Sequence, residues 1–200
     1  MIVITTPAGN IGRQVLEDLL DSGEQLRLVA RDLSGIPAGM RQDVEVIEGS
    51  HGDPAVADKA FDGADAVFWL CPPDPRAESI EAAFTGFTRP AAEAFRKHGV
   101  KRVVGVSALG RGTPWAAHAG YVTGSLAMDD LIAGSGAAYR ALTNPSFMDN
   151  ITAQAAAISR VATAGSLRSP SIGEKNMPWS LIDSAWRAML SMNDGLVSAR

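Results

Sequence analysis

Apolar and polar positions are grouped along this chain in blocks that alternate between two periods, the pattern of strands separated by helices. Ile2, Val3 and Ile4 form a short uninterrupted apolar run, as in a central parallel strand covered on both faces. After a turn framed by Gly9 and Gly12, the apolar positions Ile11, Val15, Leu16, Leu19 and Leu20 recur at helical spacing up to Ser22-Gly23, where a helix can end on a left-handed glycine. Further runs follow at Leu26 to Ala30, Val44 to Ile47, Ala66 to Cys71, Val103 to Val106 and Tyr139 to Leu142, each consistent with a buried strand of a parallel sheet. Between the fourth and fifth runs, Ile80, Phe84, Phe87, Ala91 and Phe95 predict a helix that closes at Gly99. Gly86 and Pro90 inside it predict a kink or break near Thr88-Arg89. Another helix is expected from about Tyr121 to Ala133, ended by Gly134 and Gly136.

Six strands joined by crossovers predict an α/β fold, a doubly wound parallel sheet with helices on both faces. Right-handed crossovers favour the strand order 3-2-1-4-5-6, with the ligand crevice beyond the strand C-termini. A single domain over residues 1–200 is expected, with a core at 1–150. Residues 151–200 are expected to be helical at 151–164 and 180–192, and either form a small region on the substrate side or merely close the sheet.

Composition narrows the function classes. With 46% hydrophobic and 20% charged residues the chain reads as an ordinary globular domain. A formal net charge of -4 and no block of Lys or Arg argue against nucleic acid or an anionic membrane surface as partner. The apolar runs are too short to span a bilayer, and the single cysteine, Cys71, cannot build a disulfide framework, so a cytoplasmic location is expected. His51, His98 and His118 lack close ligand spacing, and no metal is expected.

The chemistry begins at the first turn. A strand, a glycine-containing turn and a helix aim free backbone N–H groups and the positive end of the helix dipole at one point, which suits the pyrophosphate of a dinucleotide. The end of the second strand, Leu28-Val29-Ala30-Arg31-Asp32, lies where a side chain meets the adenosine ribose. Arg31 there favours NADPH, since a guanidinium makes paired charge-assisted bonds to a 2′-phosphate; Asp32 keeps NADH open.

Four segments together resemble an NmrA-like member of the atypical short-chain dehydrogenase/reductase superfamily. They are Thr6-Pro-Ala-Gly9-Asn-Ile-Gly12, the stretch from Gly63 to Pro73, the stretch from Gly99 to Ala108, and the stretch from Tyr139 to Asn150. The resemblance spans about the first three-quarters of the chain. It implies that Gly9, Asn10, Ile11 and Gly12 hold the pyrophosphate, that Arg31 meets the adenosine ribose or its phosphate, and that Leu70, Cys71 and Pro72 pass beside the cofactor. Thr6 occupies the first glycine position, where a β-branched side chain resists φ > 0, although its hydroxyl can donate to a phosphate oxygen; Pro7 removes one N–H from the same turn. Many relatives carry Gly-Asp after strand three; here it is Gly49-Ser50, so Ser50 offers the adenine a neutral contact. His51, beside it, is expected to be an exposed loop histidine.

In the wider superfamily a serine ending strand five polarises the substrate carbonyl, and a Tyr-x-x-x-Lys helix supplies a proton and grips the nicotinamide ribose. The resemblance places Ser107 at the serine and Tyr121 at the tyrosine, while Ser125 stands on the cofactor side in place of lysine. Without that ammonium the tyrosine loses what normally brings its proton toward working pH. Asp129 and Asp130, one turn on, read as a solvated face or a backbone partner rather than a catalytic base. Asn144 is a candidate contact of the nicotinamide amide, and Trp115, His118 and Phe147 together are candidates for an apolar wall against a flat substrate, although each taken singly reads first as packing. The leading expectation is an NADPH-dependent oxidoreductase (NADH remaining open) that passes hydride to a quinone-like or conjugated small molecule. The alternative is a redox sensor that binds NAD(P) without turnover and acts through a regulatory protein partner. An isomerase or lyase on the same fold stays open, and a homodimer is allowed.

Overall fold

The computed structural model describes residues 1–42, 44–72 and 74–144. Its six strands are β1 (Ile2–Thr5), β2 (Leu26–Ala30), β3 (Glu45–Glu48), β4 (Ala66–Trp69), β5 (Arg102–Ala108) and β6 (Ala138–Asn144). They form one sheet in the order β3-β2-β1-β4-β5-β6, every neighbouring pair parallel. This is the expected doubly wound order, and its switch point falls between β1 and β4. β1, β2 and β4 are buried along their whole length. The edge strands differ from the uniformly buried strands expected: only Ile47 in β3 and Leu142 in β6 are buried, because each has a single neighbour and one face open. β4 also stops at Trp69, two residues short of the apolar run.

Four helices join these strands: α1 (Asn10–Leu20), α2 (Pro54–Phe61), α3 (Phe87–His98) and α4 (Tyr121–Ala133). On one face of the sheet Val15, Leu16 and Leu19 of α1 pack with Ile2, Ile4 and Leu28. On the other, Phe61 of α2, Phe95 of α3 and Met128 and Ile132 of α4 close over Val3, Val67, Trp69 and Val103. α2 starts sharply because the Asp53 side chain accepts from the N–H groups of Ala55 and Val56 and Pro54 presets the first helical φ. The break expected near Thr88-Arg89 occurs earlier, as a π-turn over Ala82–Gly86 that runs directly into α3. Pro90 has no N–H to offer the carbonyl of Gly86, and the coil widens ahead of it, so that the N–H of Phe87 reaches back to the Ala82 carbonyl. Gly99 closes α3 at φ +66, as its residue type predicts. No helix among the described residues is long and apolar enough to cross a membrane. The regions expected to be helical past residue 144 lie outside the described residues.

At the edge opposite the crevice, Asp65 ties three strand starts together. Its carboxylate accepts from the N-terminal ammonium of Met1 at 2.9 Å and from Lys101 Nζ at 2.7 Å. Lys101, then the terminal ammonium, hold the carboxyl down to about 2. A group whose folded pKa is depressed adds stability above its ordinary value and loses it as pH falls through the folded value. The stability lost in Asp65→Asn should therefore be constant above about pH 5 and vanish as pH falls from about 4 to about 2, as measured by urea unfolding at each pH. Because the side chain is half-exposed, the difference will be small.

Candidate functional site

The turn after β1 is built from two threonines and two glycines. Thr5 is fully buried; its hydroxyl donates to the Phe68 carbonyl at 3.0 Å and accepts the Leu70 N–H at 2.9 Å. It thereby continues the β1–β4 pairing past Ile4 and Phe68, at the switch point itself. Thr6 then turns to φ +51, a left-handed conformation that costs a β-branched residue about 1–3 kcal/mol. Its carbonyl accepts the Gly9 N–H at 3.0 Å. A Cβ on Gly12 would lie 2.2 Å from that carbonyl oxygen, so α1 can approach β1 this closely only with glycine there. Gly9 caps α1 without a side-chain bond, and no acidic residue occupies the first turn, which leaves the positive helix end uncompensated. Asn10 is exposed, with its carbonyl taking Gln14 Nε2 at 3.1 Å, and Ile11 is half-buried. The hydroxyl of Thr6 is buried and unbonded among the described residues.

A cleft of about 620 Å³ opens beyond the C-terminal ends of β1 to β4, lined by Thr6, Gly9, Arg31, Asp32, Ser50, His51, Pro72, Asp74, Arg76 and the π-turn residues Ala82 and Ala83, among others. Five of the expected site residues, Thr6, Gly9, Arg31, Ser50 and Pro72, thus share one cavity. Arg31 is exposed at the end of β2. Asp32 beside it is turned into its own loop: Oδ1 accepts the Ser34 N–H at 2.8 Å and Oδ2 the Ser34 hydroxyl at 2.9 Å, which hold the carboxyl below its ordinary range.

His51 corrects the sequence reading. It is only 4% exposed, with its Nε2 3.0 Å from the Leu70 carbonyl and its ring edge-on to Trp69 and Phe87 at 5.0 and 4.9 Å. Burial pushes its pKa down to about 4, so at neutral pH the ring is uncharged; Nε2 carries the proton it donates, because a carbonyl can only accept. Cys71 is buried, its thiol donating to the Ala83 carbonyl at 3.4 Å, and burial pushes it up to about 12.

A second polar cluster lies between β5, α4 and β6. Ser107 donates to Asp129 Oδ2 at 2.6 Å and lies 3.2 Å from the Ser125 hydroxyl; all three side chains are buried. Tyr139 donates to Asp129 Oδ1 at 2.5 Å. Burial, and then the Asp129 charge, push the Tyr139 phenol far up, so it stays protonated. Asp129 is therefore the acceptor at the centre of this cluster rather than part of a solvated face, and only Asp130 reads as expected. Because Ser107 has one proton and gives it to Asp129, Ser125 must be the donor in the pair of serines. Sequence reasoning missed Tyr139, whose signal was Gly105 across the β5–β6 pair: a Cβ there would stand 2.6 Å from the Tyr139 hydroxyl. It also missed Arg111, which bonds the Leu126 carbonyl at 3.0 Å and Asp130 at 2.8 Å and lies 3.5 Å from Asp129.

Tyr121 is half-exposed at the start of α4, its ring centroid 5.7 Å from that of Phe84. Trp115 is 76% exposed and His118 is also exposed, so neither is part of the core. Asn144 ends β6, its carbonyl taking the Leu109 N–H at 3.2 Å. Phe147 lies outside the described residues.

Known proteins share this fold. A model of a family described as NAD(P)H-binding matches residues 8–174. The chain is 38% identical over 85 residues to (4-alkanoyl-5-oxo-2,5-dihydrofuran-3-yl)methyl phosphate reductase of Streptomyces griseus, which covers 42% of this chain and 29% of that protein. Among solved structures it is similar to Citrobacter sp. triphenylmethane reductase complexed with NADP(H), with a TM-score of 0.64 at 19% identity, covering 80% of this chain and 55% of that one. It is also similar to an Escherichia coli NADPH-dependent quinone oxidoreductase complexed with NADPH, with a TM-score of 0.62 at 24% identity, covering 78% and 53%. The chain thus spans about half the length of these solved structures and under a third of the curated relative.

Two outcomes follow from the cleft. Gly12→Ala should lose about 1–3 kcal/mol in denaturant unfolding, since a backbone carbonyl cannot yield as a side chain does, whereas Gly9→Ala should cost no more than about 1 kcal/mol. A histidine whose folded pKa is depressed loses stability as pH falls from its unfolded value toward its folded one. The wild type should thus weaken as pH falls from about 6.5 to about 4, and His51→Gln should flatten that part of the stability curve.

Proposed function

Since the chain belongs to the NAD(P)H-binding family, we propose that it is an NADPH-dependent reductase whose acceptor is a quinone-like or other conjugated small molecule. The residues present suit such a cofactor. The buried, unbonded Thr6 hydroxyl and the first turn of α1, which no side chain caps, suit a pyrophosphate. Gly12 keeps that approach free of a side chain. Arg31 suits a 2′-phosphate, while the carboxylate that would favour ribose hydroxyls, Asp32, is spent on Ser34. Reduced nicotinamide, when bound, supplies a hydride.

The observation that carries the substrate class is the capture of the Ser107 proton by Asp129. Reducing an unactivated ketone calls for a donor to the developing alkoxide. Here the protons of both Ser107 and Tyr139 are given to Asp129, Tyr121 leans on Phe84, and residue 125 is serine. A conjugated acceptor delocalises the developing charge and can be protonated by water, so it asks least of these side chains. The same capture supports a second reading, a sensor that binds the cofactor without turnover.

The test is oxidation of NADPH, followed optically, against a panel of quinones, conjugated carbonyls and simple ketones. Turnover is expected with the first two and not the third, and Ser107→Ala should leave the quinone rate within about threefold. Binding of NADPH with no oxidation by any acceptor would sink the reductase in favour of the sensor. Arg31→Ala should weaken NADPH binding by about 1.5–3 kcal/mol and leave NADH nearly unchanged.

A further inference from the structure

Resting on the NADPH reading, we propose that Arg76 is a second guanidinium for the adenosine 2′-phosphate, and that it exchanges Asp74 for the phosphate when NADPH enters. The argument starts from charge. The cleft has two facing rims: the end of β2 supplies Arg31 and Asp32, and the loop after β4 supplies Asp74 and Arg76. His51 on its floor is neutral. Two cations therefore face two carboxylates, and with Arg31 alone the cleft would carry a net negative charge. A phosphate monoester adds nearly two more negative charges, and a single exposed guanidinium beside two carboxylates offsets little of that.

The two rims are close enough to interact, since the positive charge of Arg31 is among the influences that lower the Asp74 carboxyl, after the bonds from Arg76 itself. Asp74 is anchored by accepting the Arg76 backbone N–H at 2.9 Å. The side-chain contact is loose: Arg76 Nε stands 3.5 Å from Asp74 Oδ1, and the guanidinium is 91% exposed. An exposed ion pair of that length contributes little, whereas a paired guanidinium–phosphate contact is among the stronger polar interactions. The loop can thus release Arg76 at small cost, while its own turn, held through the backbone N–H, stays in place. Asp74 itself opposes the phosphate, which gives the proposal an opposite sign to read at the neighbouring position.

The experiment titrates the full chain with NADPH and with NADH, following the fluorescence of the reduced nicotinamide, for wild type, Arg31→Ala, Arg76→Ala and Asp74→Asn, with circular dichroism to confirm folding. Asp74→Asn keeps the oxygen that accepts the loop N–H and removes only the charge. Arg76→Ala should weaken NADPH about three- to tenfold with NADH within about twofold, and Asp74→Asn should tighten NADPH about two- to fivefold with NADH unmoved. Both effects should shrink as salt rises. If Arg31→Ala abolishes the preference for NADPH while Arg76→Ala leaves it within twofold, Arg76 has no such role and the NADPH reading stands. Equal loss of both cofactors in Arg76→Ala reports the loop rather than the phosphate and also overturns the proposal. A wild type that binds NADH as well as NADPH overturns the NADPH reading and this proposal with it.

Discussion

The approach of Gly12 to the Thr6 carbonyl is the constraint from which the binding side of this molecule follows. A side chain at residue 12 would stand 2.2 Å from the backbone carbonyl oxygen of Thr6, immediately after β1. With glycine there, α1 seats against the central strand, its first N–H groups look across the switch point, and Thr6 is driven into a backbone region its side chain disfavours. Thr5 fixes the other side of the same point by stitching β1 to β4 through its hydroxyl. Strain at one threonine is thus held in place by the hydrogen bonds of its neighbour, the usual condition for strain to persist.

The cleft and the Asp129 cluster are two separate groups of polar side chains in this fold. The strands on the β1 side end in the cleft with Arg31, Ser50 and His51, while β5 and β6 bring the hydroxyls of Ser107 and Tyr139 to Asp129, with Ser125 against Ser107. In the first half the Thr6 hydroxyl is unbonded among the described residues; in the second the hydroxyls are already paired with one another and with Asp129. Arg111, lying across α4, adds a cation to that second half without supplying a proton, because a guanidinium does not titrate in the working range.

How much was legible follows from the range of the forces involved. Strand order, the limits of α4 and the glycine that closes α3 rest on local periodicity and on backbone preference, and the pattern of residues carried them. Of the cleft lining, Thr6, Gly9, Arg31, Ser50 and Pro72 were named in advance because they follow strand ends whose positions the order dictates, whereas Asp74 and Arg76 were not. Sequence reasoning failed where burial is decided by distant partners. His51 looked like a loop residue and became an aromatic-lined, neutral ring because Trp69 and Phe87 close around it. Asp129 looked solvated until β6 brought Tyr139 across Gly105. The interruption in the fourth crossover was anticipated from Pro90, yet its placement one turn earlier depends on how the lost hydrogen bond is redistributed, which residue types alone do not specify.

The π-turn has a consequence for the lone cysteine. Widening the coil over Ala82–Gly86 alters which carbonyls find helical partners, and that of Ala83 takes the Cys71 thiol. The thiol is held in that hydrogen bond and, buried with its pKa pushed up to about 12, is a poor nucleophile. A maleimide or iodoacetamide should find it only when the junction between β4 and the π-turn opens. With one cysteine in the chain, the rate of alkylation becomes a site-specific clock for the local opening of the cleft wall, with no engineered label required.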